Sequence, residues 1–84
     1  MESIIITVMI KKNPELNCDI ELPVEESSEK ALLDIIECVN SLWPEEDIDP
    51  RSCRVVNTRT GNVVRGKRSI SEEKVLNGDI FYIE

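Results

Sequence analysis

Histidine is missing from this chain of 84 residues. Its absence removes the commonest general base and the commonest metal ligand. Nucleophilic catalysis needs a base beside the nucleophile, so enzyme readings are weak from the outset. Cysteine is scarce as well: Cys18, Cys38 and Cys53 form no C-x-x-C pair. Three scattered thiols and no histidine are too few ligands for a zinc site; the thiols read as buried side chains in a reducing compartment. Three glycines and four prolines are too few for a disordered chain that is 40% hydrophobic. No apolar run approaches the ~18–20 residues of a membrane-crossing helix. There is no glycine-rich phosphate loop, and Glu45, Asp47 and Asp49 lack the spacing of a calcium loop. Basic residues are outnumbered, ten against seventeen acids, for a net charge of −7. That balance disfavours nucleic acid and anionic membrane surfaces.

The charge is lopsided. Residues 1–50 hold thirteen acids and three bases, residues 51–84 four acids and seven bases, and none of the acids falls between Arg51 and Ser71. Valine and isoleucine supply nineteen of the thirty-four hydrophobic residues, with a single alanine, a composition suited to strands. A chain this short buries only about 60% of its unfolded surface, so residues 1–84 read as a single domain with one core. The acidic start, Met1-Glu2-Ser3, with Lys11-Lys12 after the apolar stretch, reverses the order of a secretory signal; the expected location is cytoplasmic.

From Ser3 to Lys12, Ile4, Ile6, Val8 and Ile10 alternate with a semi-apolar register of Ile5, Thr7 and Met9, a strand with one fully apolar face. Residues 13–17 carry turn residues, and Cys18 to Val24 alternates again, so the two runs read as a hairpin. The period then changes. Leu32, Ile35, Ile36, Val39 and Leu42 fall at helical spacing, flanked by Leu33 and Trp43, which predicts a helix over 27–43. Ser27 or Ser28 caps its start, Glu25, Glu26 and Glu29 answer the helix dipole, and Pro44 ends it. An acidic loop follows. Cys53 to Asn57 is a short strand, residues 58–62 a turn around Gly61, Val63-Val64 a short further strand, and 67–76 irregular with room for one helical turn at 71–74. Asn77-Gly78-Asp79 is a turn before a last strand, Ile80 to Glu84.

One amphipathic helix must cover one face of one sheet. The predicted fold is therefore α+β: a mixed sheet of four to five strands on one helix, in ββαββ order, with the first and last strands parallel at the centre, which is the ubiquitin-like β-grasp. Two stretches carry a resemblance further. Arg54-Val55-Val56-Asn57, and Ile70 through Asp79 followed by Ile80 to Ile83, resemble the pattern RVVN…LSDxGIxxGDxLxI of the YukD/EsaB family. These are small ubiquitin-like proteins encoded with bacterial type VII (WXG-type) secretion systems. The resemblance implies action through a protein partner on the cytoplasmic side of the secretion machinery; the missing histidine, phosphate loop and long apolar run already argue against catalysis, a cofactor and membrane insertion. One departure stands out: Lys74 occupies the place of the pattern's glycine, where a left-handed backbone would cost about 1–2 kcal/mol.

The carboxylate pairs Glu25-Glu26, Glu45-Glu46 and Glu72-Glu73 read as solvated charge. Ubiquitin and the sulfur carriers of this fold act through a Gly-Gly tail, which the branched Ile83 and charged Glu84 do not offer, so conjugation is not expected. What remains is the outer face of the sheet. With Val55, Phe81 and Ile83 turned inward, that face carries Ile5, Met9, Val56, Ile80 and Tyr82, edged by Arg54. Five apolar side chains together exceed scattered exposed residues and mark a protein-binding surface; in ubiquitin the same face is the main recognition patch. A free-standing scaffold or oligomerisation module, its acidic and basic halves pairing between copies, is the alternative.

Overall fold

The computed structural model describes residues 2–84. Four strands and one α-helix follow each other as β1 (Ser3–Ile10), β2 (Asn13–Pro23), α1 (Ser28–Leu42), β3 (Val55–Asn57) and β4 (Ile80–Ile83), with a 3-10 turn at Pro44–Glu46. The sheet order is β2-β1-β4-β3. β1 pairs antiparallel with β2 and parallel with β4, and β3 pairs antiparallel with β4. The expected ββαββ order and the central parallel pair are therefore present, and the helix packs across the inner face.

Strand alternation sets the layers. Ile6, Val8, Ile10, Val55, Phe81 and Ile83 turn inward and are buried together with Ala31, Ile35, Ile36 and Val39 of the helix. Deleting a buried aromatic such as Phe81 would cost about 3–5 kcal/mol, so this shared layer decides stability. The helix begins as expected: the Ser27 hydroxyl accepts the Lys30 N–H, and Ser28 N–H and hydroxyl both donate to the Arg68 carbonyl at 2.8 Å. It ends at Trp43, because Pro44 opens the 3-10 turn, and Asp47 closes that turn in the left-handed region at φ 43°. The Asn40 carboxamide then holds both the N–H and the carbonyl of Ile48 at 2.9 Å, pinning the acidic loop to the helix.

Several expectations need correction. The hairpin turn is Lys11-Lys12, and β2 starts at Asn13. Pro14, a turn residue by its sequence, lies in an edge strand beside a bulge between Met9 and Ile10, where a missing N–H costs no interior ladder bond. Val63 makes only an isolated bridge to Val56, so the sheet has four strands. The third strand is three residues long, not five. On the helix, the buried stripe runs Ser28, Ala31, Ile35, Val39, and Leu42 is 52% exposed. Glu26 does not simply answer the dipole: burial first and the Asp34 carboxylate second push its carboxyl up, while Lys30 between them pulls the other way. The three thiols are free but half-buried rather than buried. Burial pushes Cys18 up to about 11, with Cys38 beside it adding to the shift.

The stretch expected to hold one helical turn is a closed unit. Ser69 and Glu72 form a reciprocal capping box: the Ser69 hydroxyl accepts the Glu72 N–H at 3.1 Å, and the Glu72 carboxylate accepts the Ser69 N–H at 2.9 Å. At the far end Lys74 N–H donates to Ser71 and Val75 N–H to Ile70, the paired bonds of a Schellman turn. That turn requires a left-handed residue, and Lys74 supplies it at φ 61°. The Cβ penalty of about 1–2 kcal/mol is partly offset in a glycine variant by its freer unfolded chain. Lys74→Gly is expected to raise unfolding free energy by about 1 kcal/mol in urea denaturation; an unchanged or lower value contradicts a strained Lys74.

Candidate functional site: the outer sheet face

The outer face is built from alternate residues of all four strands. Parallel pairing sets Met9 beside Tyr82 and Thr7 beside Ile80, while antiparallel pairing sets Val56 on the other side of Tyr82. Met9, Tyr82 and Val56 thus form one row across β1, β4 and β3, and Thr7 and Ile80 form the next. Ile5 stands beyond Thr7 on β1. All five expected apolar residues lie on this face. Their exposure differs: Ile5 is 50% and Ile80 39% accessible, whereas Met9, Val56 and Tyr82 are half-buried. The open apolar surface is concentrated at Ile5 and Ile80.

The borders are polar. On the β2 side Asp19 and Glu21 lie opposite Thr7 and Ile5, and the Thr7 hydroxyl donates to Asp19 at 2.7 Å. At the lower end Glu84 joins two bases. Its carboxylate meets Lys11 Nζ and the Arg54 guanidinium, each at 3.0 Å. Hydrogen bonds from Lys11 first and Arg54 second hold this carboxyl below the usual range. Arg54 also exchanges both backbone bonds with Glu84, at 3.1 and 2.8 Å. Arg54 therefore edges the face as expected, but as a paired cation.

Two features went unread in the sequence. Asn77 does more than turn the chain: its carboxamide oxygen accepts the Ile5 N–H at 2.8 Å, and Gly78 N–H donates to the Ile5 carbonyl at 2.7 Å. The loop before β4 therefore fixes the most exposed residue of the face. Leu76, on that same loop, is 55% exposed. Its position follows the left-handed Lys74, and the signal that could have flagged it was the capping box starting at Ser69.

The second feature is the carboxylate that anchors this loop. Asp79 is buried and accepts four hydrogen bonds: from Arg59 Nε at 2.8 Å, a second Arg59 nitrogen at 3.0 Å, Asn57 Nδ2 at 2.9 Å and Leu76 N–H at 2.9 Å. Arg59 adds a bond to the Lys74 carbonyl at 2.6 Å. The Arg59 guanidinium, foremost, holds the Asp79 carboxyl down to about 2 against the opposing effect of burial.

No protein-family model matches the chain, and no curated protein does. Solved structures do. The UBL domain of Plasmodium falciparum Dsk2 superimposes with a TM-score of 0.74 at 13% identity, over 98% of this chain and 96% of that one. The EccD5 ubiquitin-like domain from Mycobacterium xenopi gives 0.74 at 14% identity, over 100% and 94%. Caldiarchaeum subterraneum ubiquitin gives 0.73 at 11% identity, over 98% and 91%. The fold is the ubiquitin-like β-grasp, with one helix on a four-stranded mixed sheet. Among the described residues no helix is long and apolar enough to cross a membrane.

Because the folded Asp79 is more acidic than an unfolded one, its stabilisation is complete above the unfolded value near 3.8 and is lost as pH falls through about 2. The expected contribution is about 2 kcal/mol at neutral pH. Urea melts of wild type and Asp79→Asn should therefore differ by about that amount at pH 7 and converge towards pH 2. A difference independent of pH would place the cost in packing instead.

Proposed function

We propose that this protein is a non-conjugated ubiquitin-like adaptor or regulator of a bacterial type VII secretion system, acting in the cytoplasm through non-covalent contact with a protein partner. The observation that carries the reading is the apolar outer face, open at Ile5 and Ile80 and floored by Met9, Val56 and Tyr82. Its centre is apolar and its rim polar, the anatomy of an interface core and its border. The link to type VII secretion rests on the resemblance of Arg54–Asn57 and Ile70–Ile83 to the YukD/EsaB pattern. The fold likeness to a bacterial chain, the Mycobacterium xenopi EccD5 domain, is compatible with it.

The chemistry on this face supports binding and not catalysis. Its polar groups are largely committed: Thr7 to Asp19, and Glu84 to Lys11 and Arg54. The alternative, a scaffold that self-associates through its charged halves, draws on the acids of β2 and the bases around Arg65, Lys67 and Arg68.

Ile5→Glu and Ile80→Glu test the reading. Both side chains are substantially exposed, so each variant should fold with a melting temperature close to wild type while abolishing binding to the cytoplasmic secretion components and export of a WXG-type substrate. Normal export by both variants would remove the outer face as the site. Salt-sensitive oligomers of wild type in sizing runs, unchanged by either variant, would favour the scaffold instead.

A further inference from the structure

The β2 edge of the sheet lies apart from the exposed apolar residues of the outer face. β2 is one of the two edge strands and, among the described residues, pairs only with β1, whereas β3 at the other edge is partly covered by residues 62–64. Val24 N–H donates to the Glu2 carbonyl at 3.1 Å, which fixes the phase of the antiparallel ladder. Cys18, Ile20 and Leu22 therefore turn their main-chain groups towards β1, and Asn17, Asp19 and Glu21 turn theirs outwards. These outward groups are a ready template for another strand. Pro14 and Pro23 bracket them, so the pairing window lies within residues 15–22.

The chemistry of the window is one-sided. Glu15, Asp19 and Glu21 are exposed acids, and β2 contains no base. On the inner face Leu16, Cys18 and Ile20 pack against the core yet stay half-buried, leaving apolar surface at the edge. An added strand would set alternate side chains about 5 Å from Asp19 and Glu21. Its intervening side chains would cover Cys18 and Ile20 from below. A second copy does not fit: β2 against β2 would oppose acid to acid, and each copy carries a net charge of −7.

From this geometry we infer that the β2 edge accepts an extended basic segment of a partner protein, alternating Lys or Arg with aliphatic residues, as a fifth strand of the sheet. Main-chain bonds to Asn17, Asp19 and Glu21 give the pairing, the carboxylates of Asp19 and Glu21 select the charge, and Leu16, Cys18 and Ile20 take the aliphatic side chains.

The test uses a capped heptapeptide alternating valine and lysine, and its counterpart with glutamate for lysine, titrated into the isotope-labelled protein. The lysine peptide should shift the amide resonances of Asn17, Asp19 and Glu21 and slow their hydrogen exchange by about tenfold or more. The glutamate peptide should bind more than about tenfold more weakly. Asp19→Lys combined with Glu21→Lys should reverse the preference, and Ile80→Glu should leave it intact, separating this edge from the outer-face site. Equal binding of both peptides, shifts confined to Ile5, Ile80 and Tyr82, or no binding of the lysine peptide would overturn the inference.

Discussion

One buried carboxylate organises the half of the molecule that follows the helix. A charge withdrawn from water is costly unless it is fully hydrogen-bonded. Asp79 meets that condition through donors from three places in the chain: the end of β3 at Asn57, the turn beyond it at Arg59, and the loop before β4 at Leu76. Its own carbonyl accepts the Thr7 N–H at 2.9 Å, the first bond between the two central strands. The clamp therefore sets where β4 starts against β1. Side chains alternate along a strand, so a slip of one residue would bury Ile80 and Tyr82 and expose Phe81 and Ile83. The identity of the outer face depends on this register, which the Asp79 clamp supports together with the alternation that buries Phe81 and Ile83.

Much of this architecture was legible from residue spacing. The helix announced itself by its period, by Ser27 ahead of it and by Pro44 behind it. The in-and-out assignment of β1, β3 and β4 followed from alternation, because Ile6, Val8, Phe81 and Ile83 have no other compatible burial partner than the helix. Where alternation was weak, as at Ile5 and Ile6, the structure chose the register that pairs Thr7 with Asp19 and Ile80. The misread positions have physical reasons. Pro14 looks like a turn residue because proline breaks interior strands, and an edge strand relaxes that rule. Leu42 is apolar and at helical spacing but stands exposed in the last turn, while the small Ala31 in the first turn is fully buried. The Arg59–Asp79 pair spans twenty residues and exists only once the sheet has formed. The capping box of Ser69 and Glu72 was readable, and the left-handed Lys74 of its Schellman turn could be suspected only from the glycine of the resembling pattern, because lysine itself carries no such signal.

The lopsided charge of the sequence becomes more specific in three dimensions. Several bases of the second half are spent internally: Arg51 on Asp49, Arg54 on Glu84 and Arg59 on Asp79. The acids of β2 face solvent along an open edge, next to an apolar sheet face. A partner meeting this molecule encounters an apolar patch bordered on one side by negative charge. In the proposed role, such an arrangement would orient an encounter more than it adds affinity.

The most direct test of the central claim is site-resolved amide hydrogen exchange on wild type and Asp79→Asn. If Asp79 sets the register of β4, the variant should lose protection together at β4, at Lys11 and Thr7 of the β1 side and at Arg54 and Thr58 of the β3 side. Loss confined to residues 74–79, with β4 still protected, would show that the sheet holds its register without the clamp.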